Sequence, residues 1–422
     1  MNEKLLQYLW NFKIFKSFDF KDVEGNPLEI LDFGKWNFDS GPDFLLGKIR
    51  FRDLLLAGNI ELHVKSSDYI FHQHSGNPEF ENLILHAVFY HDVEVEELQN
   101  RNIPTLELKN YIDETVLWKY ESLLKQNQFI ACENLFSPTF IPFNFTEEIL
   151  IKKLDEKSIV IEEALRLNKN NYEAVLFHQL AYAFGLKINA ENFKQLAESL
   201  DFSVVNKIRQ NQTQLEALFF GACGWLAKPE DEQMKIWKRE FDFLTVKYQL
   251  PKLKITPKFS KLRPPNFPTV RLSQLASLYY LNQNLFSKLI LVKNSDIKSI
   301  FNSAKASEYW DNRFNFGKIS PVVCEKFLTE EFINLILINT VLPFKYTYHK
   351  NADEHISDEI LDFYRAMNPE KNTTTENWKS LNVKMNNALE SQAFIYHYKN
   401  FCEKKNCLNC SIGYQLLGVK NP

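Results

Sequence analysis

Four residues in the first quarter of the chain have types and spacing that suit hydrolytic chemistry: Asp43, Glu61, His63 and Lys65. The run from 49 to 65 predicts a hairpin-like pair of strands, because apolar and polar side chains alternate along it. Successive side chains of a strand point to opposite faces. One face is therefore expected to carry Glu61, His63 and Lys65, and the other to pack on a core through Ile60, Leu62 and Val64.

These residue types could bind a cation and activate water. Hard divalent cations take carboxylate oxygens and retain water molecules, so Asp43 and Glu61 are candidate ligands for Mg²⁺ or Mn²⁺. His63 or Lys65 would then orient or deprotonate the attacking water, or neutralise charge on a phosphoryl group. The alternative is an exposed sheet face that carries charged residues without any chemistry, as half-buried strands commonly do.

Histidines are concentrated just beyond this strand. Five of the nine, at 63, 72, 74, 86 and 91, lie within a short stretch of the chain. If His72 and His74 are in extended backbone, both imidazoles point the same way, an arrangement that suits a transition metal. With Asp68 they form an alternative site, that of a zinc-dependent hydrolase with a small-molecule substrate. His86 lies inside an apolar run, where a histidine is more often a hydrogen-bonded core residue than a metal ligand.

The pair Pro42-Asp43 followed by Glu61 resembles the motif of the PD-(D/E)XK nuclease superfamily. That motif is an acid after a proline, then one to three dozen residues, then Asp or Glu, any residue, and Lys. The resemblance implies a restriction-endonuclease-like sheet, metal ligation by Asp43 and Glu61, and phosphodiester hydrolysis in nucleic acid. The chain departs from the motif because His63 stands where Lys is expected and Lys65 follows two residues later. A non-catalytic nucleic-acid-binding or scaffold protein with the same fold is therefore an alternative.

A basic, proline-rich segment lies in the middle of the chain. No acidic residue occurs between 243 and 295, although the formal net charge of the whole chain is -3. Phe259 and Phe267 are interleaved with the charges, so the segment could neutralise phosphates and stack on unpaired bases. The alternative is a solvated connection between domains. The candidate phosphate-binding residues are Lys252, Lys254, Lys258, Lys261, Arg263 and Arg271.

Three of the six cysteines form a C-x4-C-x2-C pattern at the end of the chain, and His397 precedes them. Thiolates two residues apart can share an ion, so a tetrahedral Zn²⁺ site is expected from His397, Cys402, Cys407 and Cys410. An iron–sulfur cluster is the less favoured alternative, because no fourth cysteine lies nearby in the sequence. Buried cysteines that pack as small apolar groups are a further alternative.

Composition bounds the architecture. A chain of 422 residues exceeds what one core usually serves, and its 45% apolar and 24% charged residues are typical of globular domains. Helical periodicity dominates from Val116 onward, so we expect an α+β protein with an N-terminal mixed sheet and a larger, mainly helical region. The expected domains are an α/β nuclease-like domain at 1–115, a helical domain at 116–248, a basic linker at 249–270, and a helical domain at 271–422 that ends in the cysteines.

The remaining expectations concern location. No stretch approaches eighteen consecutive apolar residues and the first fifteen lack the apolar core of a signal peptide, so a membrane partner is not expected and the cytoplasm is the predicted location.

The whole chain resembles a bacterial family known as domain of unknown function 2851. That name implies no activity. The residues that carry the resemblance are Gly41-Pro42-Asp43-Phe44, Glu61-Leu62-His63, Ser67-Asp68, Leu85-His86-Ala87-Val88, Gln214 to Leu218 with Gly221, Arg263-Pro264, Asn266 to Thr269, Arg271-Leu272, Cys402 to Cys407, Cys410, and Ile412-Gly413.

Overall fold

A computed structural model describes residues 1–37, 40–74, 76–125, 128–253, 255–292, 296–352 and 357–417. It has an N-terminal mixed sheet followed by a mostly helical region, which confirms the predicted α+β class. Among the described helices, none combines the length and the apolar character that crossing a lipid bilayer requires.

The described strands fall into one large sheet and one small hairpin. The large sheet contains β1 (Leu28–Asp32), β2 (Lys35–Trp36), β3 (Phe44–Phe51), β4 (Leu54–Lys65), β5 (Leu83–Tyr90) and β6 (Thr105–Glu107). The hairpin contains β7 (Arg313–Asn315) and β8 (Lys318–Ile319).

The large sheet is mixed, with the order β1-β3-β4-β5-β6, and β2 also pairs with β3. β3 and β4 form the expected hairpin through a two-residue turn in which Arg52 and Asp53 have φ values of 48° and 61°. β5 runs parallel to β4, with Glu61 opposite His86. Parallel neighbours need a crossover connection, and residues 66–82 provide it. The site described below lies under this crossover.

The helices of the N-terminal half are α1 (Glu3–Asn11), α2 (Asp68–Phe71), α3 (Glu96–Asn100), α4 (Glu114–Lys125), α5 (Phe145–Leu167), α6 (Tyr172–Phe184), α7 (Leu186–Ser199) and α8 (Phe202–Ile208). Those that follow are α9 (Gln212–Ala222), α10 (Glu232–Tyr248), α11 (Pro268–Leu281), α12 (Leu285–Leu291), α13 (Ser299–Asn302), α14 (Glu330–Ile336), α15 (Leu342–Asn351), α16 (Ser357–Ala366), α17 (Thr373–Ser380), α18 (Ala388–His397) and α19 (Ser411–Leu416). Single π-helical turns at Leu337–Val341 and Tyr398–Cys402 extend α14 and α18.

The chain divides into two compact units. The sheet unit comprises Met1–Phe145, Lys371–Lys384 and Phe394–Pro422, and the helical unit comprises Thr146–Glu370 and Met385–Ala393. The C-terminal segment therefore packs with the N-terminal sheet, whereas the sequence predicted it as the end of a separate helical domain. Its contacts explain the difference: Leu408 and Leu417 belong to the core of the sheet unit, and Tyr414 stacks on Tyr8 with ring centroids 5.8 Å apart.

Each unit has its own apolar core. In the sheet unit, Ile60 and Leu62 of β4 pack with Leu5, Leu6 and Leu9 of α1, as the alternation along β4 predicts. In the helical unit, α5 to α16 contribute to a core rich in aromatic residues, including Phe177, Phe219, Trp237 and Trp310.

Candidate metal centre

The polar face of β4 is buried. Glu61 is 5% exposed and His63 is not exposed at all. The crossover covers them, because Tyr69 lies against His63 with ring centroids 6.2 Å apart and Phe80 stacks on His74 at 4.1 Å. The alternative of an exposed, charged sheet face is therefore wrong for these two residues. Burying an acid and an imidazole is costly unless partners compensate.

Hydrogen bonds hold the crossover in place at both ends. At its start, Asp92 accepts from the Ser66 hydroxyl at 3.0 Å and from the Ser67 hydroxyl at 2.9 Å. At its end, the Arg101 guanidinium donates to the carbonyls of Phe80 and Glu81 at 3.0 and 2.7 Å. These contacts fix the lid over the polar face of β4, so the buried groups beneath it are held in position.

Asp43, just before β3, lies beside Glu61. The backbone N–H of Asp43 donates to Glu61 Oε2, and the backbone N–H of Leu62 donates to Asp43 Oδ2, both at 3.0 Å. Gln7 Nε2 of α1 donates to Asp43 Oδ1 at 2.6 Å. Burial and the neighbouring Glu61 raise the pKa of Asp43, and burial with the nearby Glu3 raises the pKa of Glu61. Two acids held this close in a low-dielectric site attract a cation.

His63 is held by a second buried imidazole. Its Nδ1 lies 3.0 Å from Nε2 of His86, which is itself fully buried on β5. Burial, followed by the charges of neighbouring imidazoles, lowers the pKa of His63 to about 2, and burial lowers the pKa of His86 to about 3. Both rings are therefore neutral at physiological pH. Neutral imidazole is the form that binds metals, and a hydrogen bond to its second nitrogen orients it.

His72 and His74 complete the cluster. His63, His72 and His74 each have a ring nitrogen within 4.8 Å of a ring nitrogen of the other two. The expectation of extended backbone at His72 and His74 is wrong, because His72 caps α2 and Gln73 has a left-handed φ of 58°. The turn nevertheless brings the rings together, with centroids 5.6 Å apart. His72 is exposed and His74 is partly buried.

Two buried nitrogens in this cluster point to a ligand. Within the described chain, His63 Nε2 and His74 Nε2 are buried without a hydrogen-bond partner. They lie 3.5 and 3.3 Å from the same atom, Glu61 Oε1. Buried polar atoms are nearly always satisfied, so such atoms gathered round a carboxylate need an explanation. A divalent cation held by Glu61, His63 and His74, with Asp43 alongside, would satisfy them.

Two residues predicted nearby lie apart from this cluster. Lys65 is exposed at the end of β4, where its backbone N–H donates to Asp68 Oδ2 at 2.8 Å. Among the contacts of the described residues, none joins Lys65 to the carboxylates of Asp43 and Glu61. The Asp68 carboxylate accepts that hydrogen bond from the backbone of Lys65. The side chain that groups with His72 and His74 is therefore His63, and not Asp68 as predicted.

The basic segment lies in the helical unit and is packed against it. Ile255 is buried, and buried Asn189 makes two hydrogen bonds to the backbone of Lys258, at 2.8 and 2.7 Å. Phe259 contacts both Trp225 and Phe267, with ring centroids 5.8 and 5.3 Å away, so it is engaged within the protein. The exposed cations are Lys252, Lys258, Lys261 and Arg263, whereas Lys254 lies outside the described residues.

Arg271 departs from the expected role in phosphate binding. It is 5% exposed, its guanidinium carbon lies 3.6 Å from the centre of the Phe332 ring, and it donates to Gln274 and Asn266. A side chain enclosed in this way stabilises the helical unit and has no open face for a phosphate. We therefore remove Arg271 from the candidate ligand-binding surface.

The C-terminal cysteines form a second cluster in the sheet unit. Cys402, Cys407 and Cys410 line one cavity with His397, and Cys410 Sγ lies 3.3 Å from His397 Nε2. Cys132 lines the same cavity, although its spacing from the other cysteines did not predict it as a ligand. Burial raises the pKa of Cys132 and of Cys410 to about 12, so both are protonated thiols in the absence of a metal.

The fold and the buried cluster define a mixed-sheet protein with a candidate metal centre of acids and imidazoles. The chain belongs to the family described as protein of unknown function (DUF2851), whose model matches residues 3–373. The match includes Asp43, Glu61 and the histidines of the cluster, and it ends before the C-terminal cysteines. Searches of curated proteins and of solved structures gave no match.

Proposed function

We propose that this protein is a divalent-metal-dependent phosphodiesterase that acts on nucleic acid, with its metal held by Asp43, Glu61, His63 and His74. The observation that carries the proposal is the pair of buried nitrogens, His63 Nε2 and His74 Nε2, which make no hydrogen bond and flank Glu61 Oε1 at 3.5 and 3.3 Å. Asp43 adds a second, partly buried carboxylate, and its backbone N–H is hydrogen-bonded to Glu61.

The ligand set favours Mn²⁺ over Mg²⁺. Mg²⁺ prefers oxygen ligands and keeps several waters, whereas imidazole suits transition metals. Two carboxylates together with the imidazoles of His63 and His74 therefore suit Mn²⁺ better than Mg²⁺. The pKa of His63, lowered mainly by burial to about 2, supports its use as a neutral ligand.

The cation and the surrounding histidines would have different roles in the reaction. The bound cation would polarise a phosphoryl oxygen and lower the pKa of a water molecule. His72 is exposed beside the buried imidazoles, with its ring centroid 5.0 Å from that of His63, so it is placed to accept the proton of the attacking water. His86 acts as a positioning residue through its contact with His63 Nδ1. Lys65 takes no part in this scheme.

Nucleic acid is proposed as the substrate on two grounds. One is the resemblance of Pro42-Asp43, just before β3, and of Glu61, within β4, to the nuclease motif. The other is the exposed basic group on the helical unit, formed by Lys252, Lys258, Lys261 and Arg263. Such cations contribute sequence-independent, salt-sensitive affinity for phosphates.

A zinc-dependent hydrolase is a second candidate, and the grouping of three imidazoles favours it. His63, His72 and His74 could together hold Zn²⁺, with a water in the fourth position. In that case His72 would be a ligand, and its removal would abolish metal binding. In the proposed phosphodiesterase, removal of His72 lowers turnover and leaves most of the metal affinity.

Cleavage by metal-depleted protein tests the proposal. The substrates are single- and double-stranded DNA, RNA, bis(p-nitrophenyl) phosphate and p-nitrophenyl acetate, each with added Mn²⁺, Mg²⁺ or Zn²⁺. We expect Mn²⁺-dependent phosphodiester cleavage that is lost in Glu61→Gln and kept in Glu81→Gln, which changes an exposed acid on the crossover. Ester cleavage with Zn²⁺ alone would favour the second candidate, and no cleavage under any condition would refute both.

A further inference from the structure

Four cysteines of the sheet unit converge on one cavity. Cys132 follows α4, and the others come from the C-terminal segment. The rest of the lining is apolar or aromatic apart from His397, and it includes Trp378, Phe401 and Leu416. Four cysteines from two distant segments of the chain therefore line one cavity whose other lining residues are mostly apolar.

The spacing of the three C-terminal cysteines is itself informative. Cys402, Cys407 and Cys410 form C-x4-C-x2-C, the spacing found in plant-type [2Fe–2S] proteins, where a fourth cysteine lies elsewhere in the chain. The sequence lacked a nearby fourth cysteine, and that absence made zinc the leading expectation. In the folded protein, Cys132 is the fourth cysteine: it is distant from the other three in the sequence but lines the same cavity.

Local structure holds the three thiols in place. Cys402 ends a π-helical turn, Cys407 begins a short 3-10 helix, and Cys410 caps α19 by accepting a hydrogen bond from the Gly413 N–H at 3.4 Å. A Cβ at Gly413 would collide with the carbonyl oxygen of Cys407, so only glycine permits this close approach. The segment is folded tightly around the cavity.

The separation of the thiols distinguishes between one ion and a cluster. All four cysteines are free thiols. Around a single Zn²⁺, with Zn–S bonds of about 2.3 Å, all sulfurs would lie within about 4 Å of one another. Over the described chain, no three of these thiols come within 4.8 Å of one another, although three imidazoles of the first centre do. The four thiols are therefore more widely separated than the ligands of a single zinc ion.

We propose that Cys132, Cys402, Cys407 and Cys410 bind an iron–sulfur cluster. His397 is then not a ligand: its Nε2, 3.3 Å from Cys410 Sγ, donates a hydrogen bond to a ligating sulfur. This assignment replaces the zinc site expected from the sequence. The cluster would join the segment after α4 to the C-terminal segment and so hold the latter against the sheet unit, because Leu408 and Leu417 contribute to its core.

Metal analysis of the full-length protein tests the assignment. Protein is purified anaerobically, without chelator, and iron, acid-labile sulfide and zinc are measured per chain, together with visible absorption and Mössbauer spectra. Samples with incomplete iron are reconstituted with ferrous iron and sulfide. We expect at least two iron and two sulfide per chain, and a Mössbauer spectrum typical of a thiolate-ligated cluster. One zinc without iron or sulfide, or no metal after reconstitution, would overturn the proposal.

Variants identify the fourth ligand. Cys132→Ser should lose most of the iron, whereas His397→Gln should keep the iron stoichiometry. Cys324→Ser is the matched control, since Cys324 is exposed and lies outside the cavity. Circular dichroism establishes that each variant is folded. Full iron in folded Cys132→Ser, together with its loss in folded His397→Gln, would contradict the assignment. If Cys132→Ser does not fold, the iron and sulfide content of the wild-type protein decides.

Discussion

The backbone N–H of Asp43 donates a 3.0 Å hydrogen bond to Glu61 Oε2, and this contact fixes two acids side by side, one buried within β4 and one partly buried just before β3. Among the described contacts of these two carboxylates there is no lysine or arginine, and the neighbouring His63 ring is neutral. The pair is therefore a strained arrangement that a divalent cation would relieve, and it connects the fold to the proposed chemistry.

Replacing Glu61 should stabilise the metal-free protein. The folded pKa of Glu61 is raised, mainly by burial, so at neutral pH the acid is ionised in the unfolded chain, and folding must either bury that charge or take up a proton. Glu61→Gln removes this cost while keeping an acceptor for the Asp43 N–H. We expect a gain on the order of 1 to 3 kcal/mol in the free energy of unfolding at pH 7.5, measured with chelator present.

The matched control for that measurement is Glu81→Gln, which changes an exposed acid and should alter stability by less than about 0.5 kcal/mol. If Glu61→Gln instead lowers the free energy of unfolding, as the loss of a buried hydrogen bond does, then Glu61 has a structural role and the metal site is not supported.

His86 should affect metal affinity without touching the metal. It contacts His63 Nδ1 at 3.0 Å and so sets the direction of the opposite nitrogen. Loss of such outer contacts typically weakens metal binding about 10- to 100-fold. We expect this loss of Mn²⁺ affinity in His86→Gln, measured by calorimetric titration. His91→Gln, at a partly exposed histidine paired with Glu94, should bind as the wild type does. Equal affinities in the two variants would argue against a positioning role.

The exposed basic group on the helical unit should account for much of the salt dependence of the DNA-binding constant. Neutralising Lys252, Lys258, Lys261 and Arg263 to Gln removes cations that contact solvent. Each lost contact with duplex phosphate should reduce the magnitude of the slope of log K against log salt by about 0.9, so loss of all four contacts should reduce it by up to about 3.6. Changing Lys169, Lys187, Lys228 and Lys318, which are also exposed, serves as the control. If both sets reduce the slope equally, the basic segment has no particular role.

Glu216 should make the stability of the helical unit depend on pH. This carboxyl is 2% exposed and accepts a hydrogen bond from Ser273, and burial raises its pKa to about 7 from 4.5. A raised folded pKa means that stability is greatest below the unfolded pKa and is lost as pH rises through the folded one. The wild type should therefore lose about 3 kcal/mol between pH 4.5 and 8 relative to Glu216→Gln, measured by chemical unfolding of both proteins at each pH. Parallel pH profiles would show that Glu216 stays ionised when folded.

The sequence predicted those parts of the site that depend on local pattern. Alternation along 54–65 placed Glu61 and His63 on one face of a strand, and the proline before Asp43 marked the second acid. The helical region was likewise evident from its periodicity. Burial of that face was not predictable, because it results from a crossover whose position depends on Asp92 and Arg101.

Contacts between distant segments account for what was missed. The role of His86 depends on the parallel register that places it opposite Glu61. Cys132 has no neighbouring ligand residues to mark it, and only the packing of the C-terminal segment on the sheet unit brings it to the other cysteines. Arg271 has the charge of a phosphate ligand, but its partners Phe332 and Gln274 become visible only in the fold.

Titration of the metal-depleted protein with Mn²⁺, followed by calorimetry and by electron paramagnetic resonance, tests the central claim most directly. We expect one saturable equivalent per chain in the wild type, and affinity weaker by at least about 100-fold in the Asp43→Asn, Glu61→Gln double variant. Lys65→Met should bind like the wild type, because Lys65 is exposed and apart from the buried acids. Absence of saturable binding in the wild type, or equal affinity in the double variant, would contradict the metal centre.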